Sequence, residues 1–233
     1  MKSLKMLGCL LDYPNDALWL HRQELLDESA EHSPEIQSFI TELCQQEMLD
    51  AQAAWGELFE RGRATSLLLF EHVHGESRDR GQAMVDLLSQ YQQVGLFLDK
   101  RELPDYLPVY LEYLSILSDA DARQGLEDIA PILALLGARL KQRESRYAVL
   151  IDTLLVLAES PLCSDAFAPR VAVEEDDTSP QALDAVWQEE QVRFIADKSC
   201  SSSNEYQQRF ANTTLPQYVD LMKSQPDSAL GGR

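Results

Sequence analysis

The sequence has few basic residues for its length. Its 233 residues include 20 Lys and Arg against 39 Asp and Glu, which gives a formal net charge of −19 at pH 7 and a pI of about 4.5. A surface with this charge repels the phosphate backbone of nucleic acids, so the composition disfavours nucleic-acid binding. The same charge attracts a basic partner and raises the rate at which the two molecules meet.

Long apolar runs and closely spaced cysteines are also missing. No stretch approaches the roughly 20 apolar residues that a membrane-spanning helix requires. The short apolar run near the start ends at Asp12 and Pro14 with no small-residue cleavage site, so we expect no signal peptide. The four cysteines show no CxxC spacing of a zinc or redox site. We therefore expect a cytoplasmic protein, with no membrane insertion and with reduced cysteines.

The motifs of common catalytic and nucleotide-binding sites do not occur. GxGxxG, GxxxxGK[ST], GxSxG and HExxH are absent, and the sequence has only four histidines. His72 and His74 lie between Glu71 and Glu76, and such side chains can bind zinc or iron. Two histidines that are two positions apart point in different directions on a helix, however. We favour a helix end terminated by Gly75, and we expect neither a metal nor a bound cofactor.

Helical periodicity runs through most of the chain. Residues 33–43 begin with Ser-Pro-Glu, which is typical of a capped helix start, and their apolar residues follow at i, i+3, i+4 and i+7. No run alternates with period two over the length of a strand. The sequence therefore predicts an all-α fold, a single-domain helical bundle. Further helices are predicted at Leu67–His72, Asp79–Val94, Tyr106–Leu117, Ile129–Lys141 and Tyr147–Glu159.

Two prolines are expected to mark helix starts rather than kinks. Pro108 follows Asp105 by three residues, and Pro131 follows Asp128 by three. If each Asp is an N-cap, each proline lies in a first turn, where its missing N–H costs nothing. Asp50 is expected to cap an earlier helix in the same way.

The sequence changes character towards its end. Residues 1–160 are expected to form the helical domain. Residues 161–198 are expected to form an acidic linker and an amphipathic helix, the linker being extended by the repulsion between the four acids at 174–177. Residues 199–233 are expected to form a flexible tail.

Arginines cluster in one short part of this acidic chain, at Arg61, Arg63, Arg78 and Arg80. Guanidinium groups match the geometry of phosphate oxygens, so these side chains could make electrostatic contacts with a nucleotide-like cofactor or a client. Ion pairing with neighbouring acids is the interpretation that we favour, because structural ion pairs are common.

One predicted helix carries two adjacent apolar stripes. Tyr106, Tyr110 and Tyr113 form the first stripe, and leucines form the second. An ordinary surface helix has one such stripe. A helix with two either lies inside the bundle or turns one stripe towards a ligand, and tyrosine suits a ligand face because its hydroxyl can stay in water. Periodicity alone leaves both possibilities open.

The segment 57–81 closely resembles the NarJ/NarW nitrate reductase assembly chaperones, and so do the segments 103–114, 128–144 and 180–191. The resemblance implies an all-α protein of the redox-enzyme maturation chaperone family. Such a protein binds the N-terminal segment of a molybdoenzyme's catalytic (alpha) subunit and holds the apo-enzyme ready for molybdenum cofactor insertion. It also prevents premature attachment to the membrane anchor and is absent from the mature enzyme.

The resemblance also implies site residues. The family's aromatic-x-x-Leu-Phe element corresponds to residues 55–59, with Trp where Tyr is common, and its Pro-Asp-His loop corresponds to residues 104–106, with Tyr in place of His. We therefore expect helix-in-groove recognition of a client. The client-binding residues predicted in this way are Trp55, Leu58, Phe59, Pro104, Asp105, Tyr106, Tyr110 and Tyr113.

Two other kinds of function stay open at this point. A small cofactor-transfer or hydrolytic enzyme that uses the segment Arg61–Arg80 would show turnover or tight binding of a pterin nucleotide. A permanent subunit would co-purify with the active membrane-bound enzyme. The resemblance favours a chaperone that is not an enzyme.

Overall fold

The computed structural model describes residues 2–30, 32–73, 78–98 and 102–185, apart from the side chains of Lys2 and Arg78. Within those ranges it contains no β-strand, and its β-type pairing is limited to an isolated bridge between Leu68 and Tyr106. The prediction of an all-α fold is confirmed.

α-Helices follow one another through the described ranges. They are α1 (Lys2–Leu11), α2 (Asp16–Leu20), α3 (Arg22–Ser29), α4 (Pro34–Gln45), α5 (Met48–Phe59), α6 (Arg78–Gln93), α7 (Leu107–Ile116), α8 (Asp119–Gln142), α9 (Ala148–Leu157) and α10 (Ala168–Val171). Single 3₁₀ turns occur at Leu69–Glu71 and Ser164–Phe167. The backbone is helical again over residues 180–185, where the description ends.

Helix α8 lies at the centre of the bundle. It has 24 residues and packs against α7, α9 and α10. The hydroxyl of Ser118 caps its first turn by accepting a hydrogen bond from the backbone N–H of Asp121 (3.2 Å). Leu126, Leu133 and Leu140 follow one another at intervals of seven residues and are fully buried, as expected for the core-facing stripe of a helix.

Helices α1 and α7 pack side by side although they are far apart in sequence. Leu4, Leu7 and Leu11 of α1 are fully buried. Gly8 permits the close approach, because a Cβ atom at this position would lie 3.2 Å from the carbonyl oxygen of Pro108. The opposite face of α1 is exposed at the surface.

Several predicted helices occur where the periodicity places them. The segments 79–94, 106–117 and 147–159 correspond closely to α6, α7 and α9. The cap at Ser33 is also confirmed, because its hydroxyl accepts a hydrogen bond from the N–H of Ile36 (3.5 Å). The segment predicted as a helix at Leu67–His72 forms only a 3₁₀ turn, together with the turns that flank it.

The interpretation of the prolines is correct for Pro108 and wrong for Pro131. Pro108 lies in the first turn of α7, although the N-cap residue is Tyr106 rather than Asp105. Pro131 lies inside α8, which starts twelve residues before it at Asp119. The missing N–H is tolerated there because core-facing residues on both sides of Pro131 bury their side chains, and this burial outweighs the loss of one helical hydrogen bond.

The segment after residue 160 differs from the extended linker that we expected. Residues 1–183 form one compact unit. Glu174 is paired with Arg139 (2.7 Å) and Asp177 with Arg143 (2.6 Å), so two of the four acids are neutralised by α8 instead of repelling one another. Of the predicted C-terminal helix only its beginning is described, and the predicted flexible tail lies outside the described residues.

None of the helices in the described part of the chain is both long enough and apolar enough to cross a membrane.

Candidate functional site

The aromatic residues predicted on α5 lie in the core. Trp55 and Phe59 are buried, and their ring centroids are 5.3 Å apart. The indole N–H of Trp55 donates a hydrogen bond to the carbonyl oxygen of Leu11 (2.9 Å), which ties α5 to the end of α1. Leu58 is half-buried and lines a pocket of about 400 Å³ between α4, α5 and the connection from α8 to α9. Of these residues, only Leu58 offers part of its side chain to a partner.

The carboxylate of Asp105 does not cap α7. It is fully buried and accepts a hydrogen bond from the backbone N–H of Phe70 (3.1 Å), while the Asp105 carbonyl accepts one from Leu69 (2.9 Å). The N–H of Leu107 donates in the return direction to Leu67 (2.8 Å). Asp105 therefore caps the 3₁₀ turn from a distant part of the chain and holds this turn against the start of α7.

Arg80 lies beside this carboxylate. One guanidinium nitrogen lies 3.7 Å from Asp105, and another lies 3.5 Å from Glu71. Burial raises the pKa of the Asp105 carboxyl above its ordinary value, and the N–H of Phe70 and the charge of Arg80 partly offset this rise. The Asp105 carboxylate thus links α6, the 3₁₀ turn and α7 inside the protein.

The tyrosine stripe of α7 faces inwards more than it faces solvent. Tyr110 is 9% exposed, and its hydroxyl donates to the carbonyl of Gly125 in α8 (3.1 Å). Tyr113 is half-buried, with its ring centroid 4.7 Å from that of Tyr91. Tyr106 is half-buried and donates to the carboxylate of Asp12 (2.9 Å). The stripe is therefore mainly part of the core.

The structure brings only some of the predicted residues together. Trp55 and Tyr106 both bond to the end of α1, through Leu11 and Asp12, whereas Tyr110 and Tyr113 form a separate ring cluster with Tyr91. Pro104 belongs to this second group, because its carbonyl accepts a hydrogen bond from the hydroxyl of Tyr91 (2.7 Å). Our sequence analysis missed Tyr91, whose full burial is not marked by any local motif.

The arginines follow the ion-pair interpretation where the structure describes their partners. Arg61 lies 3.6 Å from Glu57 on the surface, and Arg80 is paired as described above. Arg63 is exposed, and the side chain of Arg78 lies outside the described residues. Arg61 and Arg80 therefore form ion pairs within the protein.

His72 has a structural role. One ring nitrogen donates to the carbonyl of Ser66 (2.8 Å), and the other faces a guanidinium nitrogen of Arg139 (3.4 Å) and so must accept. Burial lowers the pKa of His72, which agrees with a neutral ring. His74 lies outside the described residues. Within the described ranges, no group of three His, Cys, Asp or Glu side chains is placed to hold a metal ion.

A groove of about 830 Å³ lies along the surface face of α1, between α2 and α3 on one side and α7 on the other. Lys5, Cys9 and Asp12 follow one another along its floor, and Ile116 stands on the α7 side. Its connection to the predicted site is Asp12, which both lines the groove and accepts the hydrogen bond from Tyr106. Sequence reasoning missed this groove, because the exposure of Ile116 depends on tertiary packing and is not marked by any local motif.

Comparison with known proteins gives consistent matches. A family model described as "Nitrate reductase delta subunit" matches residues 22–151 of the chain. The chain is 57% identical over 230 residues to the "Nitrate reductase molybdenum cofactor assembly chaperone NarJ" of Escherichia coli, and the alignment covers 95% of this chain and 98% of that protein. It is 55% identical over 237 residues to NarW of the same organism, described as a "probable" chaperone of this kind, with full coverage of both chains. It is also 30% identical over 170 residues to a Bacillus subtilis NarJ protein, also described as "probable", covering 68% of this chain and 89% of that one.

The all-helical fold and these relatives define the class of protein: the chain is a chaperone and not an enzyme. It belongs to the nitrate reductase delta subunit family, which includes the NarJ and NarW assembly chaperones. The resemblance found in the sequence is confirmed.

Proposed function

We propose that this chain assembles a respiratory nitrate reductase. It binds the apo form of the catalytic subunit, keeps it open for insertion of the molybdenum cofactor, and leaves before the enzyme is complete. The observation that carries this proposal is the 57% identity to NarJ over 95% of the chain. Because the client must be met before it attaches to the membrane, we also propose that the chaperone acts in the cytoplasm.

We propose that the chain recognises the N-terminal segment of the client and binds it as an amphipathic helix. Tyr106 and Tyr113 are half-buried and retain part of their rings for contact with it. Trp55, Phe59 and Tyr110 support such a surface from below, because they fix α5 and α7 to their neighbours.

The expected strength of binding suits a client that must be released. Three buried apolar anchors would contribute about 5–9 kcal/mol, at about 1.5–3 kcal/mol for each side chain. Association costs at least about 4 kcal/mol, so the apolar contacts alone give weak binding. Attraction between an acidic chaperone and a basic client segment would add to this affinity and would make it depend on salt.

A binding comparison between two forms of the client tests the proposal. Catalytic subunit is purified without and with its molybdenum cofactor, and each form is passed over the immobilised full-length chain. We expect retention of the apo form and loss of binding once the cofactor is inserted. Equal retention of both forms, or co-purification with active membrane-bound enzyme, would show a permanent subunit instead.

A further inference from the structure

The four consecutive acids at 174–177 lie in two different environments. Glu174 and Asp177 are half-buried, whereas Glu175 and Asp176 are exposed. The carboxylate of Asp176 accepts hydrogen bonds from the backbone N–H (2.9 Å) and the hydroxyl (2.6 Å) of Thr178, within its own segment. The segment therefore turns its first and fourth carboxylates towards the rest of the protein.

Two arginines, one turn apart at the end of α8, hold these two inner carboxylates. Arg139 donates two hydrogen bonds to Glu174, from Nε (2.7 Å) and from Nη2 (2.8 Å). Arg143 donates one from Nη2 to Asp177 (2.6 Å). Charge-assisted bonds of this kind are among the stronger polar contacts in proteins. Both cations also lie at the C-terminal end of a helix, where the helix dipole favours positive charge.

The same two arginines hold the loop that follows α5. Nη1 of Arg139 donates to the carbonyl of Ala64 (3.0 Å). Nη1 of Arg143 donates to the hydroxyl of Thr65 (2.7 Å) and to the carbonyl of Leu58 (3.5 Å). The Leu58 carbonyl lies in the last turn of α5, where a helix has no acceptor partners of its own. Each arginine thus joins the acidic segment to the end of α5 or to its loop.

The loop also contacts the acidic segment directly. The backbone N–H of Ala64 donates to Oδ2 of Asp177 (2.7 Å). Gly62 makes room for this carboxylate, because a Cβ atom at that position would lie 2.6 Å from the same oxygen. Its φ of +99° is, in addition, a backbone conformation that other residues rarely adopt. The loop is therefore shaped around the Asp177 side chain.

Apolar burial contributes little to this contact. Val171, before the acids, is buried, but Val173 is 83% exposed. Residues 174–180 have Pro180 as their one apolar side chain, and it is exposed. A contact that depends mainly on charge is weakened by salt. It can also open locally while the apolar core stays folded.

We infer that residues 174–177 form an ionic latch, which closes on α8 and on the loop after α5 and opens as a local unit without unfolding the helical bundle. In the closed state, Thr178 and Arg143 line the pocket beside α5. Opening removes Thr178 from the edge of this pocket and exposes the guanidinium groups of Arg139 and Arg143. The ionic latch does not depend on the proposed function, and its test requires no client.

Hydrogen exchange of single amides, followed by NMR on the full-length chain, measures the opening. The N–H of Ala64 reports on the latch because its acceptor is Asp177. The N–H of Leu69 reports on the bundle because it bonds to the carbonyl of Asp105 (2.9 Å), outside the latch. Raising NaCl from about 0.1 M to 1 M shortens the Debye length from about 10 Å to about 3 Å. We expect exchange at Ala64 to become roughly tenfold faster and exchange at Leu69 to stay unchanged.

Two double variants separate the inner charges from the outer ones. Glu174→Gln with Asp177→Asn removes the inner charges, and Glu175→Gln with Asp176→Asn removes the same number from the same segment. Both pairs keep the size of the side chains and their ability to accept hydrogen bonds. At low salt, we expect exchange at Ala64 to be roughly tenfold or more faster in the inner variant, since charged pairs become neutral hydrogen bonds. The outer variant should exchange like the wild type, and the salt effect should be lost in the inner variant alone.

The Nε–H signal of Arg139 gives a second reading of the latch in the same NMR samples. This group is bonded to Glu174 in the closed state. In the inner variant its proton should exchange with water faster than in the wild type, and in the outer variant at the wild-type rate. Unchanged exchange in the inner variant would contradict an ionic latch.

The amide results can overturn the inference in three ways. Exchange at Ala64 that does not respond to salt in the wild type would show that charge does not hold the segment. Equal rates in the inner and outer variants would show the same. Acceleration of Ala64 and Leu69 together would make the segment part of the cooperatively folded core. If the inner variant does not fold, the salt experiment on the wild-type chain decides.

Discussion

Asp105 and Phe70 are joined by a hydrogen bond that spans 35 positions of sequence. The carboxylate oxygen accepts the backbone N–H at 3.1 Å, and no part of the Asp105 side chain reaches solvent. The N–H belongs to the first turn of the 3₁₀ segment Leu69–Glu71, where a helical partner is not available. This side chain adds to the two backbone hydrogen bonds, from Leu69 to Asp105 and from Leu107 to Leu67, that hold the start of α7 against the segment before α6.

Replacing Asp105 by Ala should lower the free energy of unfolding by about 3 kcal/mol. The change leaves the N–H of Phe70 without its acceptor and leaves Arg80 without one of its two acidic partners in a largely buried position. Urea unfolding followed by circular dichroism measures the difference. The exposed residue Asp86 provides the control, since Asp86→Ala should change stability by no more than about 0.5 kcal/mol. Equal stabilities of the two variants would contradict the structural role of Asp105.

Replacing Tyr110 by Phe should cost about 1 kcal/mol, because the carbonyl of Gly125 loses the hydroxyl that bonds to it. The ring stays in place, so the affinity for a client peptide should not change. Thermal unfolding and peptide titration of the same preparation give the two values. Tyr13→Phe changes a more exposed ring and should have a smaller effect on stability. A loss of affinity without loss of stability would place Tyr110 on the client surface instead of in the core.

Two helical glycines should respond in opposite ways to substitution by Ala. A Cβ atom at Gly125 would lie 2.5 Å from a methyl carbon of Leu114 and 3.1 Å from the hydroxyl of Tyr110, so Gly125→Ala should destabilise the protein by about 1–3 kcal/mol. A Cβ atom at Gly81 would meet nothing within 4 Å, so Gly81→Ala should stabilise it by about 0.5–1 kcal/mol through higher helix propensity. Chemical denaturation of both variants checks the signs. Stabilisation by Gly125→Ala would mean that α7 and α8 are less closely packed there.

The pair between Glu174 and Arg139 should make stability depend on pH in the acidic range. The two hydrogen bonds from Arg139 (2.7 and 2.8 Å) hold the pKa of the Glu174 carboxyl below its ordinary value of 4.5. Since the unfolded chain binds this proton more readily, the contribution is complete well above pH 4.5 and is lost as the pH falls through the lower folded value. The stability difference between the wild type and Glu174→Gln should therefore shrink on acidification. The control, Glu175→Gln, changes an exposed neighbour and should leave the pH profile close to that of the wild type.

Much of the helical structure could be predicted because it depends on local patterns. The cap at Ser33 and the apolar spacing after it act within one or two turns, and the structure retains both. Pro131 shows the limit of this reasoning. Its local sequence resembles a helix start, but the core contacts of residues before and after it extend α8 through it. Tertiary packing outweighs local preference at such a position.

The candidate site was less predictable, because exposure and charge pairing depend on residues far away in sequence. The helical spacing of Tyr106 and Tyr110 can be read from the sequence. The acceptors of their hydroxyl hydrogen bonds, the carboxylate of Asp12 and the carbonyl of Gly125, cannot. Glu174 and Glu112 are both acidic residues in an acidic chain. Only the fold places the first beside Arg139 and leaves the second in an open groove.

The sequence by itself determined that this protein is helical and acidic and that it belongs to a family of nitrate reductase assembly chaperones, because helix periodicity, net charge and residue identity are properties of the chain read in order. The tertiary structure alone decided which side chains became core and which surface became a groove. The groove is lined by three stretches of chain, 5–12, 15–28 and 112–116, and the packing of α1 on α7 brings the first and the third together. Burial and unpaired charge arise only when such distant segments meet.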